Sequence, residues 1–281
     1  MSDDTPKSTL RDTWEAAAPG WAKWEQTFSG GLEQVTDDLL DQAGVDVGAR
    51  VLDVASGAGF QTIQAAKRVG PNGAVVASDI SGTMLAHVRR NAETAGLANI
   101  ETVESAAEDL ADTTNPFDAA ICRLGLMLFS DPSSAAQAIG RALKPGARFA
   151  ALVFTTPANN PFTAQPMAIL LRHAGKQPPG PGKPGLFALG GDDVLVNLLS
   201  ESGLRDVQSK TVRSPLVMAS AADALEMMQQ AFGAYRAVVA NLGEPERAEA
   251  WSEVLTCLEQ FEGGEGFKTE FEFIIGSGAR G

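Results

Sequence analysis

The chain has 281 residues, 44% of them hydrophobic and 20% charged, enough apolar material for a sizeable core and too little charge for a disordered polymer. Its 35 acidic and 22 basic side chains give a formal charge of −13, which repels a phosphate backbone and argues against a nucleic-acid substrate. No apolar run reaches the roughly 18–20 residues that cross a bilayer. The acidic, polar start lacks a secretory signal, so the cytoplasm is the expected compartment. Cys122 and Cys257, each in an apolar run, are then expected to be free, buried thiols. With only His87 and His173 beside them, in no ligand spacing, no metal site is expected.

Along the chain, Thr9 to Phe28 carries Trp14, Trp21 and Trp24 around Pro19-Gly20 and predicts one or two short helices with a break. These rings suit either plain packing or a lid over a ligand. Helical spacing follows from Leu32 to Ala43. A short buried strand, Ala49 to Ala55, runs into Ser56-Gly-Ala-Gly59 and a helix ending near Val69. Strands are predicted at 74–79, 100–103, 119–123 and 148–154, with helices at 82–95 and 133–143 between them. Alternation of this kind predicts parallel βαβ units in an open, doubly wound α/β sheet. Thr155 to Gly185 is rich in proline and glycine, and 177–185 reads as a loop. Beyond it come a helix at 192–202, a strand at 206–218, helices at 221–240 and 246–261, and a last strand at 269–276.

The chemistry concentrates where the first strand ends. Gly57 and Gly59 let the backbone turn sharply into a helix N-terminus and keep side chains away from an approaching ligand. Asp79 ends the second strand, 22 residues beyond Gly57, where a carboxylate can accept from both hydroxyls of a ribose. Thr62 stands where a dinucleotide motif has its third glycine, which counts against a nicotinamide-dependent oxidoreductase. His173 and Arg123 border the expected cleft. Packing is the commoner fate of such a histidine, and ion pairing is as good a reading of the arginine as ligand binding. Met218, Met227, Met228, Phe232 and Tyr235, with Met167 and Phe162, are either core or the walls of an adaptable apolar pocket.

These motifs resemble the class I S-adenosylmethionine-dependent methyltransferases. Asp53-Val-Ala-Ser-Gly-Ala-Gly59 is similar to that family's first motif, Asp79-Ile-Ser-Gly-Thr-Met84 to the motif after it, and Leu143-Lys-Pro-Gly-Ala-Arg148 to the turn before strand five. Phe117 to Pro132 resembles the fourth-strand motif of ubiquinone/menaquinone-biosynthesis and natural-product methyltransferases. The resemblance covers Val51 to Phe154 and is diffuse beyond. It implies a Rossmann-like, mostly parallel seven-stranded sheet with helical cap insertions. The chain then forms one domain: a helical lid (1–45), a cofactor-binding core (46–155), and cap insertions with the last strands (156–281).

The resemblance further implies S-adenosylmethionine as cofactor, its methionine end held by Asp53, Ala55, Ser56, Gly57, Gly59 and Gln61. Its ribose falls to Asp79, its adenine to Ile80, Met84, Ala107 and Glu108, and its amino group to the carbonyl near Arg123. Ala106 stands where the family usually has an acid that takes the adenine amino group; Glu108 or Asp109 can substitute. The implied reaction is in-line methyl transfer to a small lipophilic or aromatic molecule, with Trp21, Met127, His173 and Phe232 facing it. A scaffold that binds the cofactor without methylating is the alternative. A homodimer is left open.

Overall fold

The computed structural model describes residues 5–110, 114–180, 182–264 and 266–281. Strands β1 (Arg50–Val54), β2 (Ala74–Asp79), β3 (Ile100–Glu104), β4 (Phe117–Arg123) and β5 (Leu143–Phe154) run parallel. β6 (Leu204–Met218), the two-residue β7 (Glu262–Gly263) and β8 (Gly266–Arg280) complete the sheet. The order is β3-β2-β1-β4-β5-β8-β6, with β8 antiparallel to both neighbours and β7 turning back onto it. The mostly parallel seven-stranded sheet is therefore present, and β7 is an eighth strand that its length hid from the sequence. β1, β2 and β4 are buried along nearly their whole length, as helices on both faces of a parallel sheet require.

Those helices are α2 (Glu33–Gln42), α3 (Phe60–Val69), α4 (Gly82–Thr94), α5 (Pro132–Ala142) and α7 (Val194–Glu201). Two starts are fixed by side-chain caps: Ser81 Oγ accepts from Met84 N at 3.1 Å before α4, and Asp131 Oδ1 from Ser134 N at 2.9 Å before α5. α3 starts from Gly59 in the left-handed region, φ 101°. The sequence turns back between β3 and β4: β2 and β3 lie on one side of β1, and β4 on the other. That switch point is where open α/β sheets bind ligands.

β6 and β8 run on past the end of β5, paired from Leu204↔Arg280 to Met218↔Phe267, while β5 reaches only Phe273 of β8. On the protruding half of β6, Val212, Ser214, Leu216 and Met218 are buried and the residues between them exposed, the period of a strand packed on one face. α6 (Pro161–His173), α8 (Ala221–Ala231), α9 (Gly233–Val239) and α10 (Glu244–Glu259) form the cap here. Phe154, Phe162, Phe271 and Phe273 join cap to sheet, with ring centroids 4.9 to 5.7 Å apart.

Three elements differ from the sequence-based expectation. The Trp-rich segment is a single helix, α1 (Thr5–Gly30), running through Pro19. Residues 155–185 hold the full helix α6. The helix expected over 221–240 breaks at Phe232 (φ −85°, ψ 84°) into α8 and α9. Cys122 is buried as expected, whereas Cys257 on α10 is partly exposed; both are free. Among the described residues no helix is long and apolar enough to cross a membrane.

Candidate active site

β1 ends in a turn whose backbone leaves ordinary conformations three times: Ala55 (φ 56°), Gly57 (φ 55°) and Gly59 (φ 101°). Ala55 carries a Cβ there, at a cost of about 1–2 kcal/mol. A Cβ on Gly59 would stand 3.0 Å from Val88 Cγ2, so α3 and α4 touch because this residue is glycine. Asp79 fastens the turn from the next strand: Gly57 N donates to its Oδ2 and Ser81 N to its Oδ1, both at 2.9 Å. Burial pushes the Asp79 carboxyl up, against the pull of these N–H groups.

β4 ends in the mirror of this turn. Leu124 also adopts positive φ, 62°, held by its N–H donating to Leu152 O at 2.8 Å. A Cβ on Gly125 would lie 2.6 Å from Ala55 Cβ, so the two turns meet where the sheet order switches. Neither Leu124 nor Gly125 was singled out from the sequence.

Two clefts open there. The first encloses about 1050 Å³ of empty space, its open mouth included. One wall is the β1 turn from Val54 to Ala58, with Gln61; the next is Asp79, Ile80 and Met84. Ser105 to Glu108 form a third side, and Arg123, Leu124, Leu128 and Phe129 the far side. The second cleft, about 510 Å³, lies beneath the cap. Met127, Phe154, Leu186, Phe232 and Tyr235 wall it, and its side-chain polar groups are the Trp indoles, Thr163 and Tyr235. Trp14, Trp21, Leu124 and Leu128 line both clefts, so the two share a wall.

α1 forms that roof. Trp14 and Trp21 stack tilted at 6.4 Å, and Trp21 and Phe232 at 5.9 Å. Gly20 presses on α8, where a Cβ would meet Gln230 O at 1.9 Å, and Gly233 leaves room for Thr13. On the cap side Trp24 Nε1 donates to Gln230 Oε1 at 2.8 Å and Lys23 Nζ pairs with Glu226 at 2.6 Å. On the other side Arg11 pairs with Glu104 at 3.5 Å and Thr83 N donates to Glu15 at 3.3 Å.

The structure brings Ala55, Ser56, Gly57, Gln61, Asp79, Ile80, Met84, Ala107, Glu108 and Arg123 to the first cleft, and Trp21, Met127 and Phe232 to the second. Gly59 stands behind the wall as the cap of α3. Asp53 also stands behind it, fully buried. Its carboxylate accepts from Thr62 Oγ1 at 2.5 Å and Gln61 Nε2 at 3.3 Å, and Gln61 also donates to Ser56 O at 3.0 Å. Asp53 thus aims Gln61 rather than facing the cavity. Burial lifts it to about 7, against the hydrogen bonds of Thr62 and Gln61 and the charge of Arg123.

His173 lines neither cleft: its Nε2 lies 2.8 Å from Glu253 Oε2 on α10, because α6 turns that face to the cap's exterior. Arg123 donates to Thr36 Oγ1 at 3.2 Å and stacks 5.1 Å from the Phe60 ring centroid. Glu108 accepts from Ser130 Oγ at 3.3 Å. Asp109, the other candidate to replace the acid missing at Ala106, is absent from the lining. Met218, Met227, Met228 and Phe162 are buried in the core, and the half-buried Met167 packs against it. Among the described residues no group of His, Cys, Asp or Glu could hold a metal.

The glycine turn and the acid ending β2 sit on an α/β sheet whose fold is similar to that of solved methyltransferases. Residues 45–168 match the family model described as a methyltransferase domain. The ubiquinone/menaquinone biosynthesis C-methyltransferase UbiE of Pseudomonas fluorescens is 35% identical over 152 residues, covering 53% of this chain and 59% of the relative. The chain thus spans under two thirds of that relative's length. Among solved structures, phosphoethanolamine N-methyltransferase 2 of Haemonchus contortus, with S-adenosylhomocysteine bound, superposes with a TM-score of 0.58 at 15% identity, over 98% of this chain and 60% of that one. The [4+2]-cyclase SpnF does so with a TM-score of 0.54 at 18% identity, over 88% and 80%. Both are likenesses of fold.

Proposed function

We propose that the chain transfers a methyl group from S-adenosylmethionine, held in the first cleft, to a small lipophilic acceptor held in the second. The observation that carries this reading is the shared wall: a glycine-floored cleft that carries Ser56, Gln61, Asp79 and Arg123 among apolar side chains, and an almost wholly apolar cleft, meet at Leu124 and Leu128. Residues of the first cleft fit the cofactor. Ser56 lines the cleft, and its buried hydroxyl has no hydrogen-bond partner among the described residues. No atom lies within 4 Å of where a Cβ on Gly57 would stand, so the main chain there is open to a ligand. Asp79 retains free lone pairs for a diol.

When bound, S-adenosylmethionine supplies a methyl group already activated on a sulfonium. The chain's own residues position and shield. Asp79 and the Ala55–Ala58 backbone hold the polar end, with Gln61 kept in place by Asp53. Ile80, Met84 and the 105–108 segment clasp the flat end. Trp14 and Trp21 close the roof and keep water from the junction, where alignment of the two reactants supplies most of the acceleration. The name of the UbiE relative points to quinone precursors, and a flat, apolar, aromatic acceptor suits walls made of Trp, Phe, Met and Leu. The same reading takes the chain as one domain acting in the cytoplasm, where free thiols persist.

Calorimetric titration with S-adenosylmethionine and S-adenosylhomocysteine tests the cofactor half. Micromolar binding is expected in the wild type, and Asp79→Ala is expected to weaken it about a hundredfold, because two charge-assisted backbone contacts and the diol contact go together. No binding by folded wild-type protein would refute the reading. Binding without turnover over a panel of phenols and naphthols would favour the non-methylating scaffold.

A further inference from the structure

One wall of the second cleft is braced by hydrogen bonds that begin outside it, at Glu272 on β8, and run inward to buried residues. The Glu272 carboxylate is nearly buried, 9% exposed, yet it lines neither cleft. Its Oε2 accepts two bonds from Arg213, from Nε at 3.0 Å and Nη2 at 2.8 Å. Its Oε1 accepts from Thr155 Oγ1 at 3.0 Å and Asn159 Nδ2 at 2.5 Å. Asn160, fully buried, takes up the carboxylate's hold through Thr155, whose Oγ1 accepts from Asn160 Nδ2 at 3.1 Å, and it also binds the Glu272 backbone: Glu272 N donates to Asn160 Oδ1 at 2.9 Å, and Asn160 Nδ2 donates to Glu272 O at 3.1 Å.

From Asn160 the bonds run into the cap. Its carbonyl accepts from Thr163 N at 3.1 Å, Ala164 N at 2.9 Å and Thr163 Oγ1 at 3.1 Å, which starts α6. Thr163 O in turn accepts from the Tyr235 hydroxyl at 2.8 Å. Thr163 and Tyr235 are both walls of the second cleft. Thr155, Asn160, Thr163 and Tyr235 are buried, so this part of the network stands in one geometry, since any unmade bond leaves a desolvated group without a partner; Arg213 and Asn159 form its exposed end.

We propose that Glu272 is a positioning residue for the acceptor: through Asn160 and Thr163 it sets where Tyr235 stands, and thereby the width of the apolar cleft. The role of the cleft as the acceptor site rests on the methyltransferase reading; the control of its shape by Glu272 does not. Arg213 holds the far end of the brace. It sits on the neighbouring strand, so the width of the cleft is tied to the register of β6 against β8.

The test uses N-phenyl-1-naphthylamine, an uncharged fluorescent probe, for the second cleft and S-adenosylhomocysteine for the first. Wild type, Glu272→Gln, Tyr235→Phe and the double variant are compared. Each single variant is expected to weaken probe binding about tenfold, the effect of one lost link. The double variant is expected to be no worse than the singles, because both interrupt one chain. S-adenosylhomocysteine affinity should stay within about twofold throughout, which a general loosening of the fold would not allow. Should Glu272→Gln fail to fold, Asn159→Ala and Arg213→Gln each remove one partner, with about a threefold weakening expected for the probe.

Unchanged probe affinity in these variants, multiplicative losses in the double variant, or no probe binding by the wild type overturns the proposal. Wild type that binds the probe but no S-adenosylhomocysteine defeats the methyltransferase reading and leaves the brace readable.

Discussion

Asp53 and Asp79 each stand near the carboxyl end of a central strand, but their surroundings give them different work. Asp79 meets backbone N–H groups and the open cleft. Asp53 meets only Thr62, Gln61 and low-dielectric packing, which raises it from 3.8 to about 7. Between those two values the unfolded chain has released a proton that the folded chain keeps. Asp53 therefore lowers stability progressively as pH rises from about 4 to about 7, and the penalty is complete above that. Asp53→Asn cannot ionise, so its stability relative to wild type should improve across this window by on the order of a few kcal/mol. Urea unfolding at pH 4.5 and 7.5 measures the change, and a difference that does not move with pH would contradict it. Gly57, Gly59 and Asp79 were legible in the sequence because a glycine or a strand-ending acid announces a backbone need. Leu124 was not, since nothing in a leucine side chain signals a left-handed backbone; that conformation arises from Leu152 and the neighbouring turn.

At the scale of elements, α1 shows how packing overrides local preference. Proline within a helix removes a hydrogen bond and costs about 3 kcal/mol, so Pro19-Gly20 suggested a break. The helix continues because Ala17 and Ala18 are completely buried and Gly20 lies directly on the α8 backbone. Gly20→Ala should lift α1 off the cap, destabilising the protein by about 1–3 kcal/mol and lowering Tm by several degrees. Limited proteolysis within residues 10–30 should quicken in parallel; unchanged cleavage and Tm would show that the contact carries no such weight. α6 was missed for a related reason. Pro161 occupies the first helical position, where it is harmless, and burial of Phe162, Leu170 and Leu171 outweighs the bond lost at Pro166. The break at Phe232 had no local cause to read: α9 begins at Gly233 where Thr13 of α1 crosses it.

Across the whole molecule, the two clefts belong to different depths of the fold. The first is built from motifs contiguous in sequence, and strand, turn and acid follow one another there at readable spacings. The second collects Met127, Phe154, Thr163, Leu186 and Tyr235 from separate elements, and no spacing rule gathers them. Of its walls, Met127, Trp21 and Phe232 were expected to face an acceptor, and Tyr235 was read as either core or pocket wall. A ligand of the first cleft touches the roof, the β1 turn and the β4 turn together, so it should stabilise the molecule globally. S-adenosylhomocysteine at a hundred times its Kd adds about 2.7 kcal/mol, which for a chain of this size raises Tm by roughly 5–10 °C. Differential scanning fluorimetry reads this directly, and a flat response at saturation would count against the cofactor site.

β6 and β8 behave as a cantilever. Their roots are clamped in the sheet beside β5, and their free ends lead into the cap, whose α6 and α9 supply Thr163 and Tyr235 to the apolar cleft. Substitutions at the tip can reshape what the cleft accepts while the clamp, and the glycine turn several strands away, stay as they are. The architecture therefore lets the shape of the apolar cleft change under selection independently of the turns at β1 and β2. That separation accords with a family-model match that spans 45–168.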